Sequence, residues 1–182
     1  MVAKQQKNGM PAATDILKWA LVIIVFTVLV TLLAQMKPST RNFVKEVSIS
    51  NEFEIESSKL ALQKSQNPEV KEFAQEMINE HTRLGNEFKS AVAASTASNG
   101  DLEKSATGMD KKHERMLAKL NEAEGNKFDK EYIAAQKDVH KKAERLFSKY
   151  SKHGEDEALQ TFADKNHEVI QKHLEHIKNI KL

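Results

Sequence analysis

Four side chains of this 182-residue sequence could do chemistry together: Glu54, His81, His140 and His173. Each lies where helical spacing puts apolar residues. Glu54 falls on the line of Phe43, Val47, Ser57 and Ala61. His81 is central among Phe73, Met77, Leu84 and Phe88. His140 shares a stripe with Phe128, Tyr132, Val139 and Phe147, and His173 sits among Phe162, Ile170 and Ile177. Imidazoles with one carboxylate are a donor set for Zn, Cu, Fe or Ni, and the interiors of helix bundles are where such sites are built. His167, at the edge of the last stripe, is the alternate ligand, and Asn166 shares that face. The plainer alternative is a satisfied polar core, in which Glu54 accepts a hydrogen bond from a histidine and the network fixes helix register with no ligand.

Other chemistries find little support. A di-iron oxidase needs Glu-x-x-His on each of two helices. The residues three before His81, His140 and His173 are Ile78, Lys137 and Ile170, and the nearest match is Asp164-x-x-His167. No Gly-rich phosphate loop, serine-nucleophile motif or His-Glu-x-x-His helix occurs. With no cysteine, disulfides and thiolate catalysis are excluded. No catalytic residue is assigned, and the sequence reads more as a binding protein than as an enzyme. Its 28 basic and 26 acidic residues are interspersed, with no Arg-rich aromatic stripe, so nucleic-acid binding is not expected. His153 and His176 read as surface or rim positions.

Helices must position these groups, and proline and glycine mark where they end. Breaks fall at Pro38, Asn67-Pro68, Ser98-Asn99-Gly100, Gly125-Asn126 and His153-Gly154. They predict four main helices, about 40–66, 68–96, 127–152 and 156–181, in one domain over 40–182. The connection 97–126 is long enough to cross the whole domain and carries a shorter amphipathic helix with Met109, Met116, Leu117 and Leu120. That order predicts an all-α fold of ferritin-like four-helix topology with a crossover. Glu54 lies 13 residues before Asn67, His81 13 after Pro68 and His140 13 after Lys127, so all three sit ~20 Å from one end. Straight-helix arithmetic leaves His173 ~9 Å lower.

The N-terminal part is of another kind. Trp19–Met36 carries no charge and is almost wholly apolar, ~27 Å long as a helix. It predicts a polar head over 1–15 and a single transmembrane helix over 16–37, with Lys18 and Trp19 at the interface. A cleaved signal peptide is the competing reading, but Leu32-Leu33-Ala34 puts a bulky leucine where a small residue belongs. Lys4, Lys7 and Lys18 before the span balance Lys37, Arg41 and Lys45 after it, so charge barely sets orientation. A lone N-terminal span with a short head favours a domain outside the cytoplasm.

Several ordered segments resemble a bacterial family known as domain of unknown function 4142. They are Glu54-Ile55-Glu56-Ser57-Ser58-Lys59-Leu60-Ala61, then Val70 to His81, Phe128-Asp129-Lys130-Glu131-Tyr132, Asp138-Val139-His140 and His173-Leu174. The resemblance covers about 43 to 180. It implies a ferritin-like bundle in an exported, often periplasmic or envelope protein, with Glu54, His81, His140 and His173 at the family's recurrent polar positions. It brings no established activity. One departure is Glu168, where members often have a proline five residues before the last histidine.

Two functions follow as expectations. The first is an accessory subunit, anchored in the bacterial inner membrane through Trp19–Met36, with its domain in the periplasm. It would pack on another membrane or envelope protein or on a second copy of itself. The alternative is a transition-metal-binding protein for storage, sensing or stress protection, using the Glu/His cluster.

Overall fold

The computed structural model describes residues 13–34, 38–97, 100–105 and 108–182, with side chains described except at 13–17 and 29–34. Among the described residues the secondary structure is all helical, in seven helices. They are α1 (Ala13–Ala34), α2 (Thr40–Lys64), α3 (Pro68–Ala94), α4 (Asp101–Ser105), α5 (Lys111–Glu122), α6 (Gly125–His153) and α7 (Glu157–Asn179). The chain divides into two compact units, Met1–Met36 and Lys37–Leu182.

The first unit corrects the expected anchor. Among the described residues no helix is long and apolar enough to cross a membrane. The transmembrane helix over 16–37 is therefore not upheld. The single-pass, inner-membrane location that rested on it falls with it. The remainder of Trp19–Met36, and the polar head except 13–15, lie outside the described side chains or residues.

In the second unit α2, α3, α6 and α7 form a bundle. α2 packs on α3 and α6, and α7 packs on the same two helices. Two tyrosines set the register of α2 against α6. Tyr150 at the end of α6 hydrogen-bonds Thr40 at the start of α2 (2.8 Å), and Tyr132 near the start of α6 hydrogen-bonds Ser58 near the end of α2 (2.8 Å). The two helices are thus antiparallel. Since α2 and α3 make a hairpin, α3 and α6 run parallel as diagonal partners. The connection between them starts beside the cap of α7, where Ser95 donates to Asp156 (2.8 Å), and ends beside Lys64, which donates to Asn121 O (2.7 Å). It spans the bundle, with α4 and α5 packed along α2.

Local signals set the ends. Asn67 caps α3, accepting from the N–H groups of Glu69 (2.9 Å) and Val70 (3.4 Å), and Pro68 takes the first turn, where its missing N–H costs nothing. Asp110 caps α5 and Asp156 caps α7 in the same way. Gly154 lets α6 turn tightly into α7: a Cβ there would meet the Tyr150 ring at 2.5 Å.

Two apolar clusters fill the interior. One holds Phe43, Leu84, Phe88, Phe147, Tyr150 and Phe162; the other holds Phe53, Phe73, Met77, Phe128, Tyr132 and Ile177. Along α3, α6 and α7 the boundary between them falls at His81, His140 and His173.

Candidate metal centre

A buried polar layer thus separates two greasy halves. His81, His140 and His173 are each less than a tenth exposed. Each offers one ring nitrogen to a common group whose atoms all lie within 4.8 Å of one another. His140 Nε2 and His173 Nδ1 are 3.2 Å apart. Two nitrogens on one tetrahedral ion at ~2.0–2.1 Å would stand about 3.3 Å apart. The ring centroid of His81 is 5.6 Å from that of His140 and 5.7 Å from that of His173.

The surroundings orient the rings. Nδ1 of His140 lies 2.9 Å from the backbone oxygen of Gln136, one turn earlier on α6. With its proton there, Nε2 presents a lone pair to the cluster. Nδ1 of His81 lies 3.1 Å from Oδ1 of Asn51, while its Nε2 is buried with no hydrogen-bond partner. A ring held through one nitrogen with the other bare toward its neighbours is the arrangement of metal-ligating histidines. Glu54 approaches His140 from the Nδ1 side, at 3.3 Å, and neither carboxylate oxygen has a hydrogen-bond donor in good geometry. Gln136, fully buried, donates to Ser57 (3.0 Å) and leaves its own Oε1 unpaired.

Burial sets the protonation states. It holds His81 well below the ordinary imidazole value, helped by repulsion from His140, His173 and Arg83. Burial, then the His173 ring, lowers His140 to about 3. Burial, with His176 and Arg83 behind it, lowers His173 to about 4. All three are neutral near pH 7, the state in which imidazole binds metal. Burial pushes Glu54 well above the carboxylate range, and the Gln136 side chain opposes this only in part. Without a cation close by, Glu54 is the group the core tolerates least in charged form.

The structure brings Glu54, His81, His140 and His173 into one layer, with Glu54 behind His140 and outside the three-imidazole group. His167 is on the rim, 3.1 Å from Glu144, and Asn166, though buried, donates to Phe162 O and Glu87. The expected ~9 Å offset of His173 is absent. From the observed ends of α6 and α7, His140 lies 13 residues before His153 and His173 16 after Glu157, a gap of only ~5 Å. Each Cα–Cβ bond tilts toward the N-terminus of its own helix, so on antiparallel helices the two rings lean toward each other. No proline kink is needed; α7 is unbroken through Glu168. Asn51 and Gln136 were not singled out in the sequence. Their signal was spacing: Asn51 stands three residues before Glu54, and Gln136 four before His140.

The fold and the layer define a class: a helical bundle with a buried cluster of ligand-competent imidazoles. The chain belongs to the family described as "Domain of unknown function (DUF4142)", which matches residues 31–180. No curated protein matches it significantly in sequence. Among solved structures, a chain described as "CopM in the Cu(II)-bound form" has the same fold, with a TM-score of 0.64 at 22% identity, over 79% of this chain and 95% of that one.

Proposed function

We propose that this protein binds a first-row transition-metal ion through His81, His140 and His173, with copper the ion tested first. The observation that carries this reading is the convergence of three buried, neutral imidazoles, of which His81 keeps an unpaired Nε2. No protein group pairs that nitrogen, and a bare buried acceptor would cost ~1–3 kcal/mol, so it is open to a ligand. Imidazole donors suit Cu and Zn, and Cu(II) heads the affinity order for such sites. The Cu(II)-bound fold neighbour supports the choice of copper. One three-ligand cluster among the described residues suits carriage or sensing of single ions better than bulk storage. Glu54 would act from behind His140, its charge becoming tolerable once a cation sits beyond the ring.

The test is a melting series on chelator-stripped protein. A ligand that binds only the native state stabilises it by about 2.7 kcal/mol at a hundredfold excess over Kd. Cu(II) or Zn(II) should raise Tm. The rise should vanish in His81→Ala and His140→Ala and survive in His153→Ala. Melts indifferent to every metal would leave the layer as a structural network only.

A further inference from the structure

A groove of about 600 Å³ runs along the outside of α2 and α3, and its wall includes Asn51, Gly85, Phe88 and Glu103. A small cavity of about 20 Å³ lies inward, bordered by Glu54, His81, His140 and again Asn51. Asn51 is common to both and is half-buried. Its Oδ1 faces His81 Nδ1 at 3.1 Å. Its Nδ2 lies over Gly85, one turn past His81 on α3, where a Cβ would approach to 3.0 Å. Gly85 therefore leaves the space in which the amide lies across α3. Asn51 thus borders both the outer groove and the cavity beside His81 and His140. Taken as whole residues, His81, the one beside Asn51, is the most exposed of the three, at 7% against 1% and 2%.

On the reading that the three imidazoles hold a metal ion, we propose that Asn51 is the gate of that site, and that a divalent cation reaches the rings from the outer groove by displacing its amide. The closed position is held by one hydrogen bond to His81. Bonds of this kind contribute little net free energy, so the amide can swing on the timescale of side-chain rotation. The groove's charges nearly cancel, with Glu52, Glu56 and Glu103 against Lys59 and Lys89. Shape, not a carboxylate funnel, defines the route.

The test is stopped-flow uptake of Cu(II) by the chelator-stripped full chain, with release measured by transfer to a chelator. A gate alters both directions. Asn51→Ala should speed uptake severalfold and release by more, because His81 also loses its orienting hydrogen bond, with stoichiometry unchanged. Asn51→Leu, which keeps the volume, should show no gain in uptake. Glu144→Ala, beside His167 on the α6–α7 side, should leave both rates as they were. If Asn51 only orients His81, Asn51→Ala raises the release rate alone, and the gate is overturned. Equal rates in wild type and Asn51→Ala overturn it too. Should Asn51→Ala not fold, Asn51→Ser removes the long amide while keeping a hydroxyl, and the same criteria apply. A wild-type chain that takes up no metal removes the metal reading itself, whereas binding with unchanged rates removes only the gate.

Discussion

Glu54 is the residue under greatest tension. It is 1% exposed, with both oxygens short of donors, and His140 Nδ1, 3.3 Å away, is better placed to donate to Gln136 O. Its raised pKa means that the native state holds this proton more tightly than the unfolded chain. The stability this brings is present below the ordinary value of 4.5 and is lost as pH rises through the native value. The imidazoles act in the opposite sense. Their lowered values favour the native state above the ordinary 6.5, and that contribution is lost as pH falls toward about 4 for His173 and about 3 for His140. Metal-free protein should therefore lose stability on acidification below ~6.5. In Glu54→Gln the loss on the alkaline side should shrink, which urea melts between pH 5 and 8 would show. A pH profile identical in Glu54→Gln and wild type would mean that Glu54 is charged and paired in the native state. These residues were legible because a polar side chain inside a run of apolar helical positions stands out. What the sequence lacked was the partner of each: Asn51 and Gln136 look ordinary until α2 and α6 are placed side by side.

At the level of elements, α2 carries the most obligations. It contributes Glu54 and Asn51 to the layer and meets α6 through a tyrosine on each side of it. Tyr132→Phe would leave Ser58 buried without its partner and should cost ~1–2 kcal/mol in a denaturant melt. Asp156→Ala removes the cap of α7 and the acceptor of Ser95 and Thr96, with an expected cost of ~1–3 kcal/mol. Since Asp156 is remote from the rings, metal affinity at a temperature where the variant is folded should stay near wild type. Loss of metal affinity in Asp156→Ala would mean that the α6–α7 turn, and not only the layer, holds His173 in place. Helix starts such as Asn67-Pro68 could be read from residue types, because caps and prolines act locally. The relative height of His173 could not, because it depends on how the 153–157 turn closes and on the tilt of side chains on antiparallel helices.

For the whole molecule, the polar layer divides one core into two halves, and its cost must be offset by something. Protein groups alone leave Glu54, His81 and Gln136 atoms unpaired. A bound cation would satisfy His81 and ease Glu54 at once. The apolar run near the N-terminus misled for a reason of the same kind. Composition fixes how a segment partitions, but a span needs a helix of sufficient apolar length, and among the described residues none has it. The central claim is that three imidazoles ligate one ion. Its most direct measurement is electron paramagnetic resonance of the chelator-stripped full chain loaded with one equivalent of Cu(II). The account expects a single copper species with nitrogen hyperfine structure from imidazole ligands, reduced in each of His81→Ala, His140→Ala and His173→Ala and intact in His153→Ala and His167→Ala. A copper signal without nitrogen coupling, or one unchanged when all three histidines are replaced, would contradict it.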